Sequence, residues 1–160
     1  MNAAELILNP DGSIYHLNLL PEDVAPSVIL VGDPGRVSKV SNFFDIIDVI
    51  KQKREFITHT GWFNKKRITV ISTGIGTDNI DIVINELDAL VNVDLKSRMS
   101  KELLTSLNLI RIGTSGSIHP EVFTNDIVVS GLAVGTDILG MYYEHQSFDH
   151  RLLPDRKSVV

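Results

Sequence analysis

The sequence predicts a mixed α/β fold in which helices cover a central β-sheet. Short apolar runs alternate with segments whose apolar residues recur at helical spacing, which is typical of α/β domains. Three of the apolar runs stop at glycines, in the stretches "VILVGDPGR", "STGIGTDN" and "LIRIGTSGS". Ligands bind beyond the carboxyl ends of strands in such sheets, so we expect these three loops to form one pocket.

The first strand is predicted at Val28–Val31, and the loop "GDPGR" separates it from a helix over about Arg36–Phe44. Val37 and Val40 continue the chain at helical spacing. A glycine loop before a helix offers unpaired backbone N–H groups and the positive end of the helix dipole, and Arg36 adds a fixed charge. The junction suits an anion, although an ordinary strand-to-helix turn also explains it.

The following segment predicts a hairpin. Residues with β-branched and aromatic side chains return in "DIIDVIKQKREFITHT", where two strand pieces fit. A turn at Gly61–Lys66 is expected to join Glu55–Thr60 antiparallel to Arg67–Ser72. This pair makes the predicted sheet mixed.

The most regular helix is predicted after the second glycine loop, with Thr77 or Asp78 as its N-cap. Its apolar face consists of Ile80, Val83, Ile84, Leu87 and Val91. A polar surface connection follows, and then "LNLIRIG" and "DIVVSGLAVG" are predicted as the third and fourth buried strands. Met1–Ala25 is expected to form an arm outside the core, and residues 1–160 a single domain.

Composition excludes several classes of function. The chain has 160 residues, a formal charge of −5 and no cysteine, which argues against a nucleic-acid partner, disulfides and cysteine nucleophiles. No apolar run approaches the roughly 18 residues of a membrane span, and the first residues lack the pattern of a signal peptide. The sequence therefore predicts a soluble, cytoplasmic protein that binds neither nucleic acid nor membranes.

The short motifs narrow the chemistry further. "TGIGTDN" carries Asn79 where a dinucleotide-binding fingerprint has its third glycine, which argues against that fold. "GTSGS" carries Ser117 where the nucleophile elbow of a hydrolase has glycine, which argues against a serine hydrolase. The five histidines show no zinc spacing, so no metal is expected. Arg54 and Arg111 interrupt apolar strand patterns, and each needs an anion or a carboxylate partner. The sequence leaves open whether the partner of each arginine is a bound anion or a structural carboxylate. It also leaves open whether His16 is solvated or binds a substrate hydroxyl.

Five segments together resemble a known family. "YHLNLLPEDV", "VILVGDPGRVSKV", "REF", "STGIGTDNIDIVINEL" and "LIRIGTSGSI" occur in the order and spacing of nucleoside phosphorylases of the uridine and purine nucleoside phosphorylase type. The resemblance implies a phosphorylase/hydrolase-like fold, with a mixed sheet closed into a distorted barrel. It also implies a pentosyltransferase of nucleoside catabolism and salvage. Such an enzyme converts a nucleoside and phosphate reversibly to free base and (deoxy)ribose 1-phosphate, with phosphate as co-substrate and no cofactor.

The resemblance also assigns roles to individual residues. The implied phosphate ligands are Gly32, Arg36, Arg54, Arg111 and Thr114. Three of them, Arg36, Arg111 and Thr114, are the expected catalytic residues, because phosphate itself is the nucleophile and the protein must position and polarise it.

The remaining assignments concern the nucleoside. His16, Ser115 and Gly116 match its ligands in the family. The residues matching Arg54 and His16 reach the site of a neighbouring subunit, so the resemblance implies a homodimer or a hexamer with shared sites.

The favoured substrate is a uridine-like pyrimidine nucleoside. The alternatives are a purine nucleoside phosphorylase, a nucleosidase that uses water, and a non-catalytic binding or oligomerisation fragment. Family members are considerably longer, so we expect the sequence to be a truncated, N-terminal part carrying the phosphate and ribose half of the site. The 160-residue chain alone is expected to be weakly active or inactive.

Overall fold

A computed structural model describes residues 5–133, 135 and 137–143. The chain divides into two compact units, Met1–Thr114 and Ser115–Val160. Nearly all regular structure of the described residues belongs to the first unit. Its strands are β1 (Ser27–Val31), β2 (Ile46–Lys53), β3 (Phe56–Phe63), β4 (Lys66–Ser72), β5 (Val93–Asp94), β6 (Met99–Ser100) and β7 (Asn108–Ile112), and its helices are α1 (Gly35–Ser41) and α2 (Thr77–Asn92), with a 3₁₀ turn at Pro21–Asp23.

The main sheet has five strands in the order β2-β3-β4-β1-β7. β1 runs parallel to both β4 and β7, whereas β2, β3 and β4 form antiparallel hairpins. The predicted mixed α/β class is therefore confirmed. The first strand, the hairpin and the strand in "LNLIRIG" also occur where the sequence predicts them. Strands β5 and β6 form a separate two-stranded ladder.

The β3–β4 turn lies within the predicted range, Gly61–Lys66, but is shorter, because β3 continues to Phe63. It consists of Asn64 and Lys65, with φ angles of 47° and 65°, as a two-residue hairpin turn of the favoured hand requires. Gly61 lies inside β3 instead, where a Cβ atom would collide with the carbonyl oxygen of Ile46 on β2. This glycine serves a close approach between two strands and not a turn.

Helices cover the two faces of β1. Val28 and Leu30 point into the larger core cluster, which includes Leu87 and Leu90 of α2. The opposite face of the sheet forms a smaller cluster, in which Val31, Val37 and Val70 are buried and which receives α1. Both faces of β1 are therefore buried, as its unbroken apolar sequence indicates.

Residues 5–25 differ from the expected arm outside the core. Ile14, Leu17 and Leu19 are fully buried in the larger cluster, although the segment has only an isolated bridge between Leu8 and Ile14. Turn signals correctly indicated irregular backbone, but irregular backbone can still bury apolar side chains.

The N-cap of helix α2 is Gly76, which lies one residue before the first predicted cap, Thr77. Gly76 has a φ of 105°, and no side chain caps the helix. The prediction that Thr77 or Asp78 caps α2 is wrong, because Thr77 already belongs to its first turn. Among the described helices, none has the length and apolar character needed to cross a membrane.

A hydrogen bond links α1 to the sheet beneath it. Ser41 Oγ lies 2.7 Å from His59 Nδ1 on β3. Burial lowers the pKa of His59 below its ordinary value of 6.5.

The second unit carries a 3₁₀ turn at Leu139–Tyr142. The prediction of a buried fourth strand in "DIVVSGLAVG" is wrong for its described residues, 126–133 and 135, which form no strand. Ile127 and Val129 are 94% and 88% exposed. A strand needs a paired neighbour, and the apolar run by itself specifies none.

Candidate anion-binding site

Three loops of the first unit open into one cavity. They follow the carboxyl ends of β1, β4 and β7, which are neighbouring parallel strands and therefore end at the same edge of the sheet. Gly32, Gly74 and Gly113 lie at these positions, and all three line a cavity of about 700 Å³. The three glycine loops therefore meet at one cavity, as the sequence predicts.

Two guanidinium groups line this cavity without a carboxylate partner among the described residues. The side chain of Arg36 makes one hydrogen bond there, in which Nη2 donates to Thr114 Oγ1 at 3.4 Å. Arg111 makes no side-chain hydrogen bond or ion pair within the same residues; the ion pairs there are formed by other residues. Two cationic groups left unpaired in one concave site favour an anion between them.

Glycine makes room for the Arg111 guanidinium. A Cβ atom at Gly113 would lie 2.9 Å from Arg111 Nη1, and one at Gly32 would lie 3.6 Å from Nη2. A side chain at Gly113 would therefore displace the guanidinium. The absence of a side chain at Gly113, after β7, therefore helps to determine where this charge lies, whereas the contact at Gly32 is an ordinary van der Waals distance.

Two carboxylates also line the cavity, but each is engaged by amide groups. Asp33 Oδ1 accepts a hydrogen bond from the backbone N–H of Gly35 at 2.9 Å. Glu55 Oε1 accepts one from Asn79 Nδ2 at 3.0 Å. Among the described residues, neither carboxylate forms an ion pair with Arg36 or Arg111.

The Asn79 amide connects the loop after β4 to the β2–β3 turn. Its Nδ2 also donates to the carbonyl oxygen of Ile75 at 3.3 Å. Gly74 has φ of 67°, and a Cβ atom there would lie only 2.6 Å from Asn79 Nδ2. Sequence reasoning missed Glu55 and Asn79 as site residues. Their signal was present, since Glu55 lies in "REF" and Asn79 occupies the anomalous position of "TGIGTDN".

The start of α2 adds a further positive feature. Gly76 lines the cavity and begins the helix without a side-chain cap. The first backbone N–H groups of a helix have no partner within it, and its dipole is positive at this end. Backbone donors and guanidinium groups therefore act in the same direction, towards a negatively charged ligand.

The structure separates the predicted residues into three groups. Gly32, Arg36, Arg111 and Thr114 line the cavity together. His16 and Arg54 do not line it, and both contact the ring of Tyr15 instead. Ser115 and Gly116 begin the second unit, where both are exposed and irregular.

His16 and Arg54 both contact Tyr15. The rings of Tyr15 and His16 meet edge to face, with centroids 4.8 Å apart, and the Arg54 guanidinium carbon lies 5.9 Å from the Tyr15 centroid. Arg54 is exposed and lies in the β2–β3 turn with φ of 54°. Its expected position inside a strand is therefore wrong. Lys53 ends β2, and the chain has already turned at the next residue.

Most of the chain matches a known protein family. The family model described as the phosphorylase superfamily matches residues 26–157. The chain belongs to the phosphorylase superfamily.

Within the described residues, no group of three His, Asp or Glu side chains could hold a metal ion.

The similar curated proteins include uridine phosphorylases and DeoD-type purine nucleoside phosphorylases. Uridine phosphorylase of Thermococcus kodakarensis is 36% identical over 132 residues, which are 82% of this chain and 43% of the relative. A DeoD-type purine nucleoside phosphorylase of Thermoanaerobacter sp. is 33% identical over 116 residues, which are 72% of this chain and 44% of the relative. The chain thus spans less than half the length of these curated relatives.

A solved structure shows the same relationship. The Trypanosoma brucei nucleoside phosphorylase, which is described as showing uridine phosphorylase activity, matches with a TM-score of 0.72 and 32% identity. The match covers 86% of this chain and 47% of that one. The phosphorylase fold of this superfamily member is therefore established.

Proposed function

We propose that this chain carries the phosphate and ribose half of a nucleoside phosphorylase site. The reaction is reversible phosphorolysis of a nucleoside to free base and (deoxy)ribose 1-phosphate. The observation that carries the proposal is the presence of two guanidinium groups, Arg36 and Arg111, without carboxylate partners among the described residues of a cavity built from three glycine loops. Membership of the phosphorylase superfamily supplies the reaction class.

The chemistry needs little covalent help from the protein. A phosphate oxygen forms a bond to C1′ while the C1′–N bond breaks, and the base leaves with the bonding electron pair and takes up a proton. Positive charge develops on the sugar, so a phosphate dianion held beneath it stabilises the transition state. Arg36, Arg111, Thr114 and the backbone at Gly32 would hold that dianion in line with C1′. The proposal includes no cofactor.

The neighbouring subunit has a part in this proposal. Arg54 is exposed, lies outside the cavity of its own chain, and contacts the same Tyr15 ring as His16. We propose that the two residues act together on the site of a second copy, with Arg54 on the phosphate and His16 on a ribose hydroxyl. Ser115 and Gly116 are proposed to line the nucleoside. A homodimer, alone or within a hexamer, is the corresponding assembly, in the cytoplasm.

A uridine-like substrate is favoured by the relatives. The uridine phosphorylase of T. kodakarensis is more identical and covers more of this chain than the DeoD-type relative does. The purine alternative has its own support, because DeoD-type enzymes match at 33% identity. Assays with uridine and inosine in the same phosphate buffer separate the two.

The first test is phosphate binding, measured by calorimetry on the 160-residue chain. We expect a dissociation constant in the millimolar range, corresponding to about −4 kcal/mol. Arg36→Ala removes a charged hydrogen bond worth about 1.5–3 kcal/mol, so affinity should fall at least about tenfold. Lys39→Ala is the matched control, because it removes the same charge from an exposed position of the same helix. Equal losses in the two variants would contradict a specific site.

Turnover tests the reaction itself. We expect the 160-residue chain to convert uridine slowly or not at all, and any base release to require phosphate. Base release at an equal rate without phosphate would indicate a nucleosidase. Absence of phosphate and ribose 1-phosphate binding would favour a non-catalytic module.

A further inference from the structure

A carboxylate outside the cavity fixes both the backbone and the ring of His16. The backbone N–H groups of His16 and Leu17 donate to Glu86 Oε2 at 3.1 and 2.9 Å. The His16 Nδ1 atom lies 2.7 Å from Glu86 Oε1. Glu86 belongs to α2, so this contact attaches the irregular 5–25 segment to a regular element.

The donor count determines what each ring nitrogen can do. At neutral pH a glutamate side chain is ordinarily an ionised carboxylate, whose oxygens only accept hydrogen bonds, and two backbone N–H groups donate to Glu86. Such an oxygen can hold Nδ1 only if Nδ1 carries a hydrogen. In a neutral imidazole the other nitrogen, Nε2, is then left with its lone pair as a hydrogen-bond acceptor.

The Nε2 atom remains available to a ligand. It has no hydrogen-bond partner among the described residues. It is also accessible to solvent, since Thr58 Oγ1 is the one buried side-chain polar atom without a partner among those residues. The His16 side chain is 26% exposed, compared with 13% for Glu86. The ring is also restrained by Tyr15, whose plane is inclined at 85° to it.

We propose that Glu86 is a positioning residue that holds neutral His16 as its Nδ1–H tautomer, so that Nε2 accepts a hydrogen bond from a ligand hydroxyl. Only the identity of that ligand, a nucleoside with a free ribose hydroxyl, rests on the proposed function. An acceptor at Nε2 matches a hydroxyl donor and cannot accept from a phosphate ester, which has no hydrogen to donate when fully ionised.

The tautomer can be read directly. Long-range proton–nitrogen correlation spectra of the ¹⁵N-labelled chain distinguish protonated from unprotonated ring nitrogens, and loss of one pattern in His16→Asn assigns the residue. We expect wild-type His16, in its neutral form, to show a protonated Nδ1 and an unprotonated Nε2. In Glu86→Gln the ratio of the Nδ1–H to the Nε2–H tautomer should fall about tenfold or more, because a charged hydrogen bond is replaced by a neutral one.

The control and the contrary outcomes are distinct. Asp88→Asn removes one negative charge from an exposed position of the same helix and should leave the His16 pattern unchanged. A wild-type Nε2–H tautomer would overturn the proposal without any variant, and so would an unchanged ratio in a folded Glu86→Gln. A failed phosphate titration would instead refute the proposed function and leave this tautomer assignment untouched.

Discussion

Gly74→Ala tests whether the Asn79 amide holds the loop after β4 in place. At φ of 67° an alanine costs about 1–2 kcal/mol relative to glycine. The new Cβ atom would also lie 2.6 Å from Asn79 Nδ2 and would displace it from Glu55. A hydrogen bond to a charged group contributes about 1.5–3 kcal/mol, so the free energy of unfolding should fall by about 2.5–5 kcal/mol in total.

A double-mutant cycle with Asn79→Ala separates these two costs. Asn79→Ala alone loses the hydrogen bond to Glu55, and it also removes the amide nitrogen that a Cβ atom at position 74 would strike. The two losses should therefore overlap by about 1.5–3 kcal/mol in the double variant. The assay is urea unfolding followed by the fluorescence of Trp62, the single tryptophan of the chain. Additivity within about 0.5 kcal/mol would refute the assigned role of Asn79.

Three further outcomes are expected. Gly113→Ala displaces the Arg111 guanidinium, so phosphate affinity measured by calorimetry should fall several-fold while the urea midpoint changes little. Burial lowers the pKa of His59, so the unfolded chain takes up a proton at higher pH than the folded one, and stability falls as pH drops below about 6.5. His59→Gln should reduce the difference between urea midpoints at pH 7.5 and 5.5. Phe56→Ala empties a fully buried position of the larger core and should cost about 3–5 kcal/mol in urea unfolding.

The elements with a strong local pattern were predictable. An apolar run followed by a glycine loop located β1 and β7, and the spacing of apolar residues located α2. Each of these patterns depends on a few neighbouring residues. For that reason one sequence suffices to read them.

The features that depend on distant residues were not predictable. Gly61 looked like a turn residue because its close approach to Ile46 is visible only after β2 and β3 pair. Ile14 and Leu17 looked peripheral because no periodicity marks irregular backbone, although both are fully buried. The segment Asp126–Gly135 looked like a strand because composition alone does not supply a partner strand.

The candidate site shows the same division. Gly32, Arg36, Arg111 and Thr114 meet because each lies in, or close to the end of, an element that the sequence predicts. Glu55 and Asn79 escaped prediction because their importance comes from a hydrogen bond between them across 24 positions. The assignment of Gly32, Arg36, Arg111 and Thr114 as phosphate ligands stays a prediction, which the calorimetric titration tests.

The cavity is assembled from loops that begin at Gly32, Gly74 and Gly113, positions spread over much of the first unit. An extended chain cannot bring these loops together, so an anion that occupies the cavity binds the folded protein and not the unfolded one. At a concentration ten times its dissociation constant, such a ligand would stabilise the fold by about 1.4 kcal/mol. The choice of buffer anion would thus shift the thermal midpoint, and inorganic phosphate would stabilise the fold even in the absence of a nucleoside.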